Sequence, residues 1–545
     1  MTVQGHVGRE VDNEAEYGAS MKGVTAHEQV FAAGDANVES SLHGGAPVID
    51  PVTGQPFTIP VNSEGKSKVL RVWTLQRPHH LSFWVSTLSF FVSFVSVFAP
   101  AAMVPAIREN IDLDKGSIGN AGIAAVCGTI LARVIMGQVC DTVGPRYGHS
   151  VLMLLTAPGV FCMGLVTNPA GFIICRLIIG FSLATFVANQ FWTSSLFAPN
   201  VVGLANATSG GWGNLGGGIT QLLMPVIFEG FQNSYTPFRA WRYVFFVPGS
   251  LHLIVALLIL VFGRDTPFGN YADVKQSGQM STLDSKKTFI AACANYRTWC
   301  LVIIYAGCFG IELTMNNVVV SYFVDHFDMQ LTIAGLLGSL FGLMNLFARS
   351  CGGLLSDKLA RPYGMRGRLW ALFACMFAEG VACIIMGLAK DSLAATVVVM
   401  IVFSAAVQAS EGATFGVVPF VSRRALGVVS GFVGAGGNAG SAITQAIFFS
   451  DNVDLETYEG IMYMGLFILG MTMLTCFIYF PMWGGMFKGP SINTDEESYY
   501  LSDYTKEEVA AGHADAAMKF ATEARSQRGA KGVQQFEESQ KGQKV

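Results

Sequence analysis

Two arginines stand at matching positions in apolar stretches of the sequence. Arg133 follows a run from residue 117 to 130 that carries no charged side chain, and Arg349 lies 216 residues later, since 349 − 133 = 216. A guanidinium inside an apolar helix is costly and marks a ligand site or pathway. Its planar fork of donors can meet two oxygens of a flat anion at once, which a lysine cannot do. The pair therefore predicts an anion held between two similar halves of the chain.

Pairing with a carboxylate is the alternative explanation of these arginines. The nearest following acids are Asp141 and Asp357, each eight residues after an arginine and therefore just over two helical turns away. A partner from another helix remains open at this stage.

A second duplicated block contains one asparagine in each copy. Asn214 lies in the glycine-rich stretch 211–221 and Asn438 in the stretch 435–445, at an offset of 224 because 438 − 214 = 224. Close helix packing accounts for the glycines, but a buried amide in a membrane needs a partner. We therefore expect each asparagine to offer its NH2 donor to something small that passes between the helices.

The stretch after the first arginine has the composition of a helix end and a turn. Gly137 and Asp141 precede Gly144, a proline and Arg146, and Asp357 matches Asp141 in the second copy. Glycine followed by proline favours a tight turn, and the aspartate can engage neighbouring helix ends. We interpret these residues as a conformational gate rather than as ligands. A solvated loop without a gating role is the alternative.

The composition indicates a membrane protein with many spans. Of 545 residues, 51% are hydrophobic and 13% charged, with a mean hydropathy of +0.45, whereas soluble domains carry about 25% charged residues. The net charge of −4 gives no basic surplus for a nucleic-acid partner. The cysteines have no metal-ligand spacing, and there is no phosphate loop or nucleophile elbow. The sequence therefore predicts no metal, no cofactor and no enzymatic activity.

Twelve apolar runs of about twenty residues could each cross a bilayer. They lie near 81–104, 117–140, 149–167, 170–197, 200–229, 241–263, 299–325, 331–356, 369–389, 393–420, 425–450 and 459–484. The predicted fold is an all-α membrane protein with about twelve transmembrane helices in two six-helix halves. The predicted parts are a polar N-terminal tail, a first bundle, a central loop, a second bundle and a polar C-terminal tail, at 1–78, 79–263, 264–298, 299–485 and 486–545.

Charged residues predict the orientation and the nature of the tails. Most lysines and arginines of the short loops fall on the side that carries both termini, which by the positive-inside rule is cytoplasmic. The first thirty residues lack the apolar core of a signal peptide, so the first span is expected to direct insertion, behind a solvated N-terminal tail. In the C-terminal tail, Thr505 and Glu508 form a predicted capping box. It opens a surface helix to about Ser526, and we expect disorder beyond it.

These motifs resemble those of known transporters. The stretch 137–148 resembles the loop signature of the major facilitator superfamily. The glycine and asparagine blocks resemble the paired nitrate signatures of its nitrate/nitrite porter family. Further stretches, among them 118–122, 411–416 and 419–424, are similar to the eukaryotic high-affinity branch, and the likeness covers about residues 80 to 529.

The resemblance implies a major facilitator superfamily fold with pseudo-twofold symmetry and transport of nitrate, with nitrite as a further candidate substrate. In that family, twin arginines of the second and eighth helices clamp the anion, and they correspond to Arg133 and Arg349. Aromatic walls would cover the faces of the ion at the matching positions Phe186, Tyr305 and Phe309. Ordinary core or lipid-facing aromatics are the alternative for these three.

Energetics predicts that protons accompany the anion. Import of an anion into a negative-inside cell is opposed by about 2.3 kcal/mol per 100 mV. One proton only makes the step electroneutral, so voltage-driven uptake needs more than one. We therefore expect electrogenic proton symport by rocker-switch alternating access, as the resemblance also implies. Candidate proton carriers are the intramembrane acids Glu312, Glu379 and Glu411, and Arg176 resembles a residue linked to coupling or else snorkels to the interface.

Two other functions compete with import. Nitrate/nitrite exchange would be electroneutral, and a nitrate sensor would signal through its tails without significant flux. The expected location is the plasma membrane, with the vacuolar membrane as the alternative. The expected partners are nitrate, protons and the lipid bilayer, and some eukaryotic relatives also need a small accessory membrane protein.

Overall fold

A computed structural model describes residues 48–530, with gaps at 63–64, 199–200, 272–273, 275–284, 451–452 and 492–493. Twelve long helical segments run through this part of the chain. They are α1 His79–Ala102, α2 Lys115–Thr142, α3 Pro145–Met163, α4 Pro169–Leu196, α5 Val202–Gln232, α6 Pro237–Phe262, α7 Tyr296–Phe327, α8 Leu331–Tyr363, α9 Met365–Leu388, α10 Leu393–Phe420, α11 Leu426–Phe448 and α12 Thr457–Phe477. Ten of them are long and apolar enough to cross a membrane, and α3 and α5 are the other two.

Shorter elements connect and flank these segments. In the described residues they are the helices Val104–Ile111, Ser285–Ala294, Glu496–Leu501, Lys506–Ala510 and Asp515–Ala524, and an antiparallel pair of strands, Tyr479–Phe480 with Gly484–Gly485. Polar side chains cap the N-termini of several long helices. Asp114 accepts a hydrogen bond from the Ser117 amide at 2.8 Å at the start of α2, and Asn168 accepts one from Gly171 at 2.8 Å at the start of α4.

The observed helices agree closely with the predicted spans. Every predicted boundary lies within four residues of the observed one except at the ends of α8 and α12, which differ by seven. Helix α8 extends through the charged residues to Tyr363, because a helix end that reaches the interface no longer needs apolar side chains. After α12, the apolar residues Phe480 and Trp483 are buried in the strand pair rather than in a longer helix.

The long helices form two bundles of six that meet along two symmetry-related contacts. Helix α2 packs on α11, and α5 packs on α8, a pattern that a twofold exchange of the two halves maps onto itself. Outward-facing apolar side chains such as Leu131, Leu155 and Val261 are 63%, 69% and 71% exposed, as expected for a surface in contact with lipid. The fold is therefore that of a multi-pass membrane protein in two halves.

Glycines bring the two halves into backbone contact where α5 crosses α8. A Cβ atom added to Gly218 would lie 2.6 Å from the carbonyl carbon of Gly342. Side chains cannot occupy that space, so both positions require glycine. The duplicated glycines thus have the packing role that the sequence allowed.

We call the face where α1 begins and α12 ends the terminal face, and the other the opposite face. The described part of the N-terminal tail, from residue 48 to residue 78, packs on the terminal face of the first half, and residues 1–47 lie outside the described residues. Ser67 pairs through its main chain with Leu196 and Ala198, at 2.9 and 2.8 Å. Asp50 is buried and binds Arg264 through both carboxylate oxygens, and this hydrogen bonding lowers its pKa to about 2. The prediction of a solvated tail is wrong for this segment, because main-chain pairing leaves no periodicity in the sequence.

The C-terminal tail covers the terminal face of the second half. Glu508 forms a bidentate ion pair with Arg424 at 2.6 and 2.8 Å, and this contact lowers the pKa of Glu508 to about 2. Tyr500 of the tail is fully buried, and its hydroxyl donates to the main-chain oxygen of Phe420 at 3.1 Å. The predicted capping box of Thr505 and Glu508 is confirmed, whereas the expected surface helix is divided into short pieces. The disorder expected beyond about residue 526 falls largely on 531–545, outside the described residues.

Candidate functional site

Arg133 is buried in α2 at the boundary between the two halves. Its side chain is 1% exposed, and its Nη1 donates to the main-chain oxygen of Gly434 in α11. Its Nε and Nη2 have no hydrogen-bond partner among the described residues. The guanidinium carbon lies 4.8 Å from the ring centre of Phe186 and 5.4 Å from that of Phe309. A buried charged group with two donors that lack a protein partner is costly unless a ligand completes it.

Arg349 is buried in α8 but already has partners. Its Nη1 forms an ion pair with the Glu411 carboxylate of α10, and its Nη2 donates to the Tyr305 hydroxyl at 2.8 Å. The alternative of a carboxylate from another helix thus holds for Arg349, although not for Arg133. Sequence spacing could not reveal this contact because 62 residues separate the two partners. The two arginines are therefore chemically unequal.

The three predicted aromatic residues come together around the arginines. Tyr305 and Phe309 stack with their ring centres 5.2 Å apart, and Phe309 stacks on Phe186 at 6.3 Å across the two halves. Phe415 of α10, which the sequence reasoning missed, packs its ring at steep angles against Phe186 and Tyr305, at 6.0 and 5.3 Å. These four rings form a cluster, called the aromatic box below, that lies against the Arg133 guanidinium and holds Arg349 through the Tyr305 hydroxyl.

The two asparagines of the duplicated blocks are buried at the same boundary, but their donors are engaged. Asn214 donates to Glu312 at 3.0 Å, and Asn345 donates to the other oxygen of that carboxylate at 2.6 Å. Asn438 donates to the main-chain oxygen of Gly434 at 3.0 Å. The amide donors therefore hold a carboxylate and a carbonyl in this conformation rather than facing an open site. Asn345 was also missed, although it stands four residues before an arginine that the sequence singled out.

The other two candidates for proton coupling differ in their surroundings. Glu379 of α9 is fully buried, and neither of its carboxylate oxygens has a hydrogen-bond partner among the described residues. Arg176 of α4 is 3% exposed and donates to the main-chain oxygen of Val97 and to Asn317 of α7, the latter at 2.7 Å. Arg176 therefore links the two halves and does not snorkel to the interface.

The predicted gate residues lie at the terminal face. Gly144 has a φ of +97°, as the tight turn requires. The amide of Arg146 donates to Asp265 at 2.8 Å, and its side chain bonds to Asn270 at 3.1 Å, so this loop is tied to the segment after α6. Around Gly137, an added Cβ would meet no atom within 4 Å.

The two aspartates of the predicted gate can be compared only in part. The side chain of Asp141 lies outside the described residues. In the second copy, Asp357 pairs with Arg368 at 2.6 Å within the same half. None of these described contacts of the gate residues joins one six-helix bundle to the other.

Irregular backbone occurs beside the site in three helices. A 3₁₀ turn, Phe181–Ala184, precedes Phe186 in α4, and another, Met344–Leu346, precedes Arg349 in α8. Helix α7 is interrupted at Gly307 and Cys308, between the two stacked rings. Interrupted helices near the bilayer midplane are typical of transporter binding sites.

A cleft of about 500 Å³ opens between the halves toward the opposite face. Its lining combines both charges, including Arg108, Lys115, Arg176 and Asp325. The first and last of these form an ion pair between the halves at 2.5 Å. Side-chain hydrogen bonds of Arg108 with Asp325 and of Arg176 with Asn317 join the two halves at this cleft.

Comparison with known proteins supports this architecture. The family model described as Major Facilitator Superfamily matches residues 86–445. Nitrate transporter 2.2 of Chlamydomonas reinhardtii is 48% identical over 478 residues, covering 86% of this chain and 93% of the relative. High-affinity nitrate transporter 2.3 of Oryza sativa subsp. japonica is 46% identical over 475 residues, covering 87% and 92%. The Nitrate/nitrite transporter NrtP of a Picosynechococcus strain is more distant, at 26% identity over 65% of this chain and 82% of its own length.

Solved structures with the same fold are transporters. An inward-facing bacterial homologue of the human lysosomal transporter Spinster has a TM-score of 0.56 at 15% identity, covering 73% of this chain and 97% of its own. The proton:xylose symporter XylE has a TM-score of 0.52 at 13% identity, covering 72% and 94%. At such identities the likeness concerns the fold alone. With the relatives named as transporters, this chain is a membrane transporter rather than an enzyme, and it belongs to the Major Facilitator Superfamily, within the family of high-affinity nitrate transporters.

Proposed function

We propose that this protein imports nitrate across the plasma membrane by proton-coupled symport, with the anion held between Arg133 and Arg349. The observation that carries the proposal is the pair of buried donors on Arg133, Nε and Nη2, which have no partner among the described residues at the boundary between the halves. Relatives that cover most of the chain are named nitrate transporters, which supports nitrate as the anion. Nitrite becomes a second candidate through the name of the NrtP relative.

The surroundings of Arg133 suit a small planar anion. Nitrate spreads one charge over three oxygens in a plane, and two adjacent guanidinium donors can meet two of those oxygens. The rings of Phe186 and Phe309 lie against the same guanidinium and supply flat apolar surfaces for the faces of the ion. Arg349 donates to the hydroxyl of Tyr305, whose ring stacks on Phe309. The Phe309 ring lies against Arg133, so both guanidinium groups adjoin the same pair of rings.

Alternating access of the site to the two sides of the membrane would carry the anion across it. The contacts of α2 with α11 and of α5 with α8 allow the halves to rock about the site and expose it to one side at a time. The terminal face would be cytoplasmic and the cleft at the opposite face extracellular. A negative potential inside the cell opposes anion entry, so net import driven by voltage requires more than one proton per nitrate.

The decisive experiment measures current and uptake together in a cell without its own nitrate transporter. Nitrate added at acidic external pH should evoke an inward current that shrinks as the potential is clamped positive, with matching accumulation of ¹⁵N-nitrate. Uptake without current would refute electrogenic symport, and dependence of that uptake on nitrite inside the cell would then indicate electroneutral exchange rather than one-to-one symport.

Three further measurements address the accessory partner, the sensor alternative and the membrane. Absence of uptake by the chain alone, reversed when a small accessory membrane protein is co-expressed, would assign that partner. Truncation after residue 488 separates transport from sensing. A sensor would lose its cellular response and a transporter would keep its uptake. Fractionation of plasma and vacuolar membranes tests the location directly.

A further inference from the structure

Glu411 occupies a position on Arg349 that an anion would otherwise take. The carboxylate accepts from Nη1 of Arg349, and the remaining Nη of that guanidinium is engaged by Tyr305. The other carboxylate oxygen of Glu411 has no hydrogen-bond partner among the described residues. Arg349 keeps further N–H groups, but Glu411 already balances its charge, so an anion gains the full attraction of this guanidinium only if Glu411 releases it.

The formal charges of the buried groups also oppose anion binding while Glu411 is ionised. Counted formally with both acids ionised, the buried carboxylates of Glu411 and Glu312 offset the two guanidinium charges of Arg349 and Arg133. A second anion entering next to the ionised carboxylate would meet a like charge in a medium that screens it poorly. A proton on Glu411 removes both the competitor and its charge.

We propose that Glu411 binds one of the protons that accompany nitrate, and that this proton and the substrate anion bind cooperatively because carboxylate and nitrate compete for Arg349. This inference rests on the proposed nitrate function. In the loading step, Glu411 takes up one proton and becomes a neutral acid. Its ion pair with Arg349 breaks, and the freed guanidinium N–H donates to a nitrate oxygen. In the release step, nitrate leaves, Arg349 pairs with Glu411 again, and the proton departs to the same side.

The other charged and titratable groups that face Glu411 belong to three helices. They are Tyr305, Cys308 and Glu312 on α7, Arg349 on α8 and Glu379 on α9. Glu312 is held by two amide donors, and Glu379 is bonded to neither arginine. Glu411 is thus the acid whose protonation directly changes what Arg349 can bind. Reciprocity then requires that nitrate raise the affinity of Glu411 for its proton.

The test is nitrate binding to the purified full-length protein, measured by calorimetry between pH 5.5 and pH 8. If one proton binds with each nitrate, the wild-type Kd should rise by up to about tenfold per pH unit. Glu411→Gln, which keeps the shape and lacks the proton site, should bind nitrate with a Kd that is nearly independent of pH. Glu411→Asp restores a carboxylate and should restore the slope. Glu379→Gln, which removes a buried acid that has no contact with either arginine, should keep the wild-type slope.

The outcomes separate this inference from the function on which it rests. If wild-type protein binds no nitrate at any pH, the proposed function fails. If it binds nitrate but Glu411→Gln retains the full pH slope, or Glu379→Gln abolishes it, Glu411 is not the proton site and the inference is overturned. Size-exclusion profiles and thermal unfolding of each variant exclude misfolding as the cause of a changed slope. In cells, Glu411→Gln should still exchange nitrate for nitrate while losing the nitrate-evoked proton current.

Discussion

Replacement of Arg133 by lysine tests whether the fork of donors, rather than the positive charge, holds the anion. In the structure, one donor group of Arg133 is spent on the Gly434 carbonyl and two are free. Lysine keeps the charge but offers a single ammonium, which that carbonyl would also attract. We expect the variant to lose one charge-assisted hydrogen bond to nitrate, a loss of about 1.5–3 kcal/mol. This corresponds to a Kd for nitrate that is roughly 10- to 150-fold higher.

Calorimetric titration of purified protein with nitrate measures this change, and ¹⁵N-nitrate uptake in cells gives the corresponding KM. Arg242→Lys is the matched control, because Arg242 donates to main-chain oxygens of Phe238 and Val166 at 3.1 and 2.8 Å, away from the site. Its Kd for nitrate should stay within about twofold of the wild-type value. If Arg133→Lys binds nitrate as tightly as wild type while unfolding at the same temperature, bidentate recognition by this residue is refuted.

Three further changes probe the walls, the helix packing and the tail. Phe309→Leu removes a ring face worth about 0.5–1.5 kcal/mol, so KM for nitrate should rise two- to about tenfold, and an unchanged KM would argue against the aromatic box. Gly412→Ala should abolish uptake, because its Cβ would overlap a backbone oxygen of α8, whereas Gly353→Ala, with its nearest atom 3.9 Å away, should not. The Arg424 contact holds the pKa of Glu508 near 2, below the ordinary glutamate value of 4.5. It therefore stabilises the docked tail fully above pH 4.5 and is lost only as the pH falls toward 2. Limited proteolysis of the tail should proceed equally at pH 8 and pH 5, and faster in Glu508→Gln.

Much of the architecture could be predicted because the bilayer imposes a simple rule on the sequence. Each span needs about twenty apolar residues, and most helix boundaries were accurate for that reason. The duplication then related Arg133 to Arg349, and both lie at the boundary between the halves with the predicted aromatic residues. The resemblance to the nitrate transporter family is confirmed by relatives that cover most of the chain.

Partners from distant parts of the chain could not be predicted. The pairing of Arg349 with Glu411 depends on how α8 packs against α10, which no local pattern records. The same holds for Asn214, whose donor meets Glu312 on another helix. The packing of the N-terminal and C-terminal tails on the terminal face could not be predicted for a related reason. A polar stretch has the same composition whether its groups bond to the protein or to water.

The glycine crossing of α5 and α8 has a mechanical consequence. With backbones in contact at Gly218 and Gly342, the crossing can act as a fulcrum, and displacement grows with distance along each helix. Asn214 is four residues from Gly218, about 6 Å along the axis, and its bond to the opposite half can survive a small rotation. Glu229 lies about 16 Å from the same glycine and accepts a hydrogen bond from the Thr332 hydroxyl at 3.0 Å. At that distance the same rotation displaces the two partners much further. When the halves rotate about this crossing, contacts between them that lie near Gly218 and Gly342 can persist, whereas contacts far from these glycines must break.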